Sequence, residues 1–249
     1  MPRKRLTILH TSDCHLDGDA PWRDGRHATS EHFAAFRAVV DRAIELDVDL
    51  VVIAGDLFDS NRASDVSTAF ALEQLARLRR PTVICPGNHD CFDEGSVYHR
   101  VDFRQAGDHV HVVSDIDGEK IELPELGTVV WGRAATERDP HYRPLEGLPA
   151  RDAKRWHVAV AHGHFMEDER LERRWGPIAA SELAKIDWDY VALGHWERHA
   201  DVSQGAVRAV YSGAPVPRPW AGAALKVVLD PTDGFSMEQV WLGQNSQPG

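Results

Sequence analysis

The chain has 249 residues, 43% of them hydrophobic and 27% charged. That composition fits a single folded domain over residues 1–249 and excludes disordered, collagen-like and low-complexity proteins. Lys and Arg number 28 against 39 Asp and Glu, a net charge of −11, which excludes a passive nucleic-acid coat because phosphate binding needs basic surface.

Three cysteines, Cys14, Cys85 and Cys91, are too few for a disulfide framework and fit a reducing cytoplasm. No apolar run reaches the roughly 20 residues of a membrane span, and the basic start does not read as a signal peptide. Fourteen histidines in an acidic chain turn the search toward a metal or acid–base site.

In chain order, Leu6 to Thr11 reads as a strand that stops at polar residues. Phe33, Phe36, Val40 and Ile44 recur at helical spacing, with Ser30 as the N-cap. Leu50 to Ala54 is a continuous apolar run, as in a strand buried on both faces. Ser64 or Asp65 caps a second helix running to about Leu78, Pro81 stops it, and Thr82 to Cys85 is the next strand. Alternating strands and helices predict a parallel sheet. Further strands are expected at Val110 to Ser114, Lys120 to Leu123, Thr128 to Gly132, His157 to Ala161, Tyr190 to Leu193, Val207 to Tyr211, Leu225 to Leu229 and Ser236 to Trp241, with a short helix at Ser181 to Lys185. The fold class is α/β: two packed, mixed sheets with helices outside.

Chemistry-bearing residues follow the apolar runs. Asp13-Cys14-His15 follows the first strand, Gly55-Asp56-Leu57-Phe58-Asp59 the second, and Gly87-Asn88-His89-Asp90 the third. His162 ends one later strand and Gly194-His195 another. Ligands in α/β sheets bind at the carboxyl ends of strands. A single D-x-H is uninformative, but Gly-Asn-His-Asp arises by chance only about 0.001 times in such a chain. On an extended segment Asp13 and His15 face one side and could grip one ion. Carboxylate, imidazole and amide ligands together suit Mn²⁺, Fe or Zn²⁺ more than an all-oxygen Mg²⁺ site. The number of candidate ligands exceeds four, which suggests two ions sharing a carboxylate.

These motifs resemble the calcineurin-like metallophosphoesterase superfamily over about Leu6 to His195, and within it the SbcD-type DNA-repair nucleases. The resemblance implies a two-sheet sandwich, with Asp13 and His15 on a first metal, Asp56 bridging, and Asn88, His162 and His195 on a second. It implies His89 as the catalytic histidine and Asp59 as the residue that orients it. The usual Gly-His-x-His motif here reads Gly194-His195-Trp196-Glu197, so Glu197 is the expected last ligand of the first metal, with His199 as the alternative. His164 competes with His162 by proximity.

The expected activity is hydrolysis of phosphodiester bonds with two divalent ions, Mn²⁺ foremost and Mg²⁺, Fe or Zn²⁺ as the others, and with short or single-stranded nucleic acid as a substrate. The alternatives are a phosphomonoesterase and a catalytically weak metal-binding regulator. Trp22, Trp196 and Trp220 are candidate base-stacking residues. A homodimer could form through the helix from Asp65 to Leu78; no membrane association is expected. Only 52 residues follow Glu197, so neither a DNA-placing cap nor an ATPase-binding segment is expected. Trp131 to Trp175 holds nine basic and eight acidic residues, a locally balanced stretch and a candidate phosphate-facing surface.

Overall fold

The apolar runs become strands whose two faces are both covered, which is why their sequences do not alternate. In the computed structural model, which describes residues 3–18, 31–136, 141–167 and 174–243, the first half runs β1 (Leu6–Thr11), α1 (Glu31–Glu45), β2 (Leu50–Ala54), α2 (Asp65–Leu78), β3 (Thr82–Cys85), α3 (Val97–Arg100) and β4 (Val110–Val112). It continues with β5 (Glu119–Leu123), β6 (Thr128–Gly132), β7 (Trp156–His162), β8 (His164–Met166), β9 (Pro177–Ala179) and α4 (Ala180–Leu183). The chain then forms β10 (Tyr190–Gly194), β11 (Ala200–Asp201), β12 (Arg208–Tyr211), β13 (Ala223–Asp230) and β14 (Gly234–Trp241).

Two six-stranded mixed sheets result, in the orders β14-β13-β1-β2-β3-β4 and β11-β12-β10-β7-β6-β5. Strands β1 to β4 are parallel, as are β6, β7, β10 and β12. The antiparallel members lie at the margins: β13 and β14 in one sheet, β5 and β11 in the other. In β2, Val51 and Ile53 pack under α1 and α2, while Leu50, Val52 and Ala54 face the second sheet. In β10, Tyr190 and Ala192 face the first sheet and Val191 and Leu193 the far side.

One detail of the helices differs from expectation. Ile44 is exposed, because the buried face of α1 runs through Phe33, Phe36, Val39, Val40 and Ala43 and ends short of it. Ser30 lies outside the described residues. Ser64 does cap α2, accepting a hydrogen bond from the Ser67 N–H. The apolar residues Phe70, Ala71, Leu75 and Leu78 are buried in the chain's own core, which accounts for them without a second copy. The short pair β8–β9 has no counterpart in the sequence reading, because three-residue strands carry too little pattern. No described helix is long and apolar enough to cross a membrane.

Candidate metal centre

The site forms where the carboxyl ends of β1, β2, β3, β7 and β10 converge. Close approach at this end depends on Gly55, whose φ is 90° and where an added Cβ would lie 2.0 Å from the His162 ring. Asp13, His15, Asp56 and His195 all have positive φ, at 53°, 46°, 52° and 105°. Such conformations are uncommon outside glycine and gather where a fold holds functional groups against local preference.

Two groups of candidate ligands share Asp56: His15, Asp56 and His89 form one, and Asp13, Asp56 and His162 the other. His162 Nε2 lies 3.2 Å from Asp56 Oδ2 and 3.0 Å from Asn88 Oδ1. His195 Nδ1 lies 3.1 Å from the same Asn88 oxygen, and the His195 N–H donates to Asp13 at 3.1 Å. The His89 N–H donates to Asp56 Oδ1 at 2.9 Å. Asp13, His15, Asp56, Asn88, His89, His162 and His195 therefore belong to one connected cluster.

The electrostatics require positive charge. Burial opposes ionisation of Asp56, but His162, His15 and His89 outweigh it and hold the carboxyl well below its usual range. Burial raises the pKa of Asp13, against the pull of His162. Burial also opposes protonation of His162, yet Asp56 and Asp13 overcome it and raise the imidazole to about 9. Burial and the neighbouring His162 charge lower His195 to about 4. His162 Nδ1 donates to the Ala54 carbonyl at 2.9 Å, so neutral His162 would turn its Nε2 lone pair toward two oxygens. That arrangement is repulsive unless a proton or a metal ion lies between them. The donor set thus fits divalent cations, with Asp13, Asp56, Asn88, His15, His162 and His195 as the residues that would hold them.

The geometry bears on three expectations. Asp13 falls in the group with Asp56 and His162, and His15 in the group with Asp56 and His89; the chain has left β1 and both residues sit in a left-handed loop where the two-residue alternation of a strand no longer applies. The Asp59 carboxylate is 3.2 Å from His15 Nδ1 but 3.8 Å from His89 Nδ1, which instead donates to the Asp59 main-chain carbonyl at 2.8 Å. Burial works against the His15 imidazolium, but Asp59, Asp56 and Asp13 raise its pKa. Glu197 is exposed and belongs to neither ligand group, and His199 Nδ1 donates to the Tyr211 carbonyl at 2.9 Å. The physical reason is the turn at His195, which ends β10 and carries the following residues toward β11.

His164 Nδ1 accepts from Trp196 Nε1 at 3.1 Å, and the Trp196 ring stacks on Tyr211 at 4.6 Å. Trp220 is exposed, and Trp22 lies outside the described residues. Cys14 and Cys91 are buried packing residues. Asp90, which the sequence does not single out, is fully buried and accepts from the Gly87 and Phe58 N–H groups and the Tyr98 hydroxyl at 2.7, 3.1 and 2.7 Å. It fixes the loop that carries Asn88 and His89. Its sequence signal is its place as the fourth residue of the rare Gly-Asn-His-Asp motif.

Residues 6–197 match the family described as calcineurin-like phosphoesterase. The chain is 27% identical over 228 residues to the uncharacterized metallophosphoesterase YhaO of Bacillus subtilis, covering 84% of this chain and 52% of that protein. It is 27% identical over 246 residues to the SbcD component of nuclease SbcCD of the same organism, covering 85% and 62%. The chain thus spans about half to three-fifths of these relatives' lengths. The crystal structure of a dimetal phosphatase from Danio rerio shares the fold, with a TM-score of 0.62 at 12% identity and 96% of each chain covered. A two-sheet scaffold, a shared carboxylate between two ligand groups and a family match over most of the sequence lead to one assignment: the chain belongs to the calcineurin-like phosphoesterase family of metal-dependent phosphoester hydrolases.

Proposed function

We propose that the protein is a dinuclear phosphodiesterase acting on short or single-stranded nucleic acid or on small phosphodiesters, with Mn²⁺ as its metal. The observation that carries this reading is Asp56, which is common to both ligand groups. Bound divalent ions supply Lewis acidity toward phosphate oxygens and make water a stronger nucleophile. Asp13, Asp56, Asn88, His162 and His195 hold the ions, and His15 completes the other side of Asp56. His89 is exposed at the rim. Its Nδ1–H is tied to the Asp59 carbonyl, so Nε2 is the atom that, in the imidazolium form, gives its proton to the leaving oxygen and leaves the neutral Nδ1–H tautomer behind. Asp59 positions both histidines, His15 through its carboxylate and His89 through its carbonyl.

Substrate size follows from charge. Arg133 pairs with Glu146, Arg143 with Glu182, Arg151 with Asp187 and Asp189, and Arg155 with Glu122 and Asp152. These arginines of the charge-balanced stretch are engaged within the protein, which argues against a long phosphate-binding track. The nuclease relative supports a nucleic-acid substrate by similarity. The test is turnover of paired mono- and diester analogues with Mn²⁺. Preferential diester cleavage is expected; exclusive monoester cleavage would overturn the reading in favour of a phosphomonoesterase.

A further inference from the structure

Beside the metal centre stands an aromatic wall that the reaction chemistry does not use. The Trp175 ring lies 6.1 Å from the His162 ring and 6.2 Å from the His195 ring, tilted 61° and 43° to them. Tyr142 stacks behind it at 5.1 Å and 27°, and the Arg133 guanidinium lies 5.4 Å from the Tyr142 ring. Tyr142 is buried, whereas Trp175 keeps part of its surface exposed. The Trp175 indole N–H is buried without a hydrogen-bond partner, an uncommon state for a polar group.

The backbone holds this ring in place. Gly176, at φ 53°, lies directly against Gly163, the residue after His162. A Cβ on Gly163 would come within 2.1 Å of the Gly176 carbonyl oxygen, so only glycine permits the contact. That carbonyl accepts the His164 N–H at 2.9 Å and begins the β8–β9 pairing. Trp175 is therefore locked to the strand end that carries His162. Ordering it on binding requires little loss of freedom, the condition under which a flat side chain contributes most to affinity.

We infer that Trp175, backed by Tyr142, is a specificity-determining platform for a flat aromatic group of the substrate, namely a nucleobase joined to the phosphodiester bound at the neighbouring metal centre. This deepens the phosphodiesterase reading above and rests on it. Stacking on an aromatic side chain tolerates any base, since every base offers a π face. It would select nucleotides over other diesters without requiring basic surface.

The test compares binding of a dinucleotide and its abasic counterpart, which has the same phosphodiester and no bases, to the Mn²⁺-loaded full chain carrying His89→Ala. The base-bearing ligand should bind roughly 5- to 150-fold tighter, the range that stacking one base supplies. Adding Trp175→Leu should bring that ratio close to one, and Trp175→Phe should keep most of it. Tyr142→Leu, which leaves the indole itself untouched, should also lower the ratio. If Trp175→Leu weakens both ligands equally, the ring only supports the histidines and the inference is overturned. An unchanged ratio in both leucine variants overturns it too. Failure of the underlying reading shows separately, as unmutated protein that cleaves phosphomonoesters and neither dinucleotide.

Discussion

The Asp59 carboxylate lies 3.2 Å from Nδ1 of His15, while Nδ1 of His89 is held at 2.8 Å by the main-chain carbonyl of the same Asp59. One residue thus serves two histidines through different atoms, and a side-chain substitution separates the two services. Asp59→Ala should lower metal affinity by about 10- to 100-fold, as loss of a partner behind a ligand does. At saturating Mn²⁺ its turnover should return to within a few-fold of the parent. Metal titration followed by equilibrium dialysis and by activity checks both parts. A persistent hundredfold deficit at saturating metal would mean that the side chain, and not the carbonyl, orients His89.

Asp56 is common to both ligand groups, so Asp56→Asn removes one charge from each. Metal content by elemental analysis should fall from two ions toward none, and turnover by several orders of magnitude. A variant that retains wild-type stoichiometry and rate would sink the shared-carboxylate arrangement.

His89→Ala should keep both ions and lose about 10²- to 10⁴-fold in kcat, the usual size of general acid help. The loss should shrink for esters whose leaving group needs no proton. Plotting log kcat against leaving-group pKa for parent and variant makes the comparison; parallel lines would assign His89 a different role.

Glu197 faces solvent and stands apart from both ligand groups. Glu197→Ala should therefore leave metal stoichiometry at two. A drop to one ion would restore the ligand role that the motif spacing suggests.

His10 is fully buried, with Nδ1 2.8 Å from the Tyr190 hydroxyl, and burial lowers its pKa to about 3. The unfolded chain has the ordinary value of 6.5. Between these values the unfolded state binds a proton that the folded state does not, so stability falls as pH drops below about 6.5 and continues to fall toward 3. The slope is about 1.4 kcal/mol per pH unit for this one group once well inside the window. Urea denaturation at pH 7 and pH 5 should show a smaller acid loss for His10→Asn than for the parent. Equal losses would place the acid sensitivity elsewhere.

Strand ends are legible in the sequence because runs such as Leu50–Ala54 are buried on both faces and stop where the polar loop begins. Asn88 and His89 are legible because the rare Gly-Asn-His-Asp combination stands at a strand end, and Asp13, Asp56, His162 and His195 because they too stand where apolar runs stop. The pairing of groups is not. It depends on left-handed turns at Asp13, His15, Asp56 and His195, and a turn's φ is set by tertiary contacts that a two-residue alternation does not contain. The displacement of Glu197 from the ligand groups has the same cause. Trp175 carries no sequence signal, because its closeness to His162 comes from the contact between Gly163 and Gly176, thirteen positions apart and without any motif.

The candidate ligands divide between the two sheets: Asp13, His15, Asp56, Asn88 and His89 follow strands of the first, His162 and His195 strands of the second. Ions held by this set would act as a non-covalent cross-link across the sandwich, joining Asp13 to His195, 182 residues later. By thermodynamic linkage, any change that loosens the docking of the sheets weakens ion binding by the same free energy that ion binding returns to docking. Val158 and Val52, which face each other's sheets in the buried middle layer and touch no ion, are in this sense part of the metal affinity of the protein.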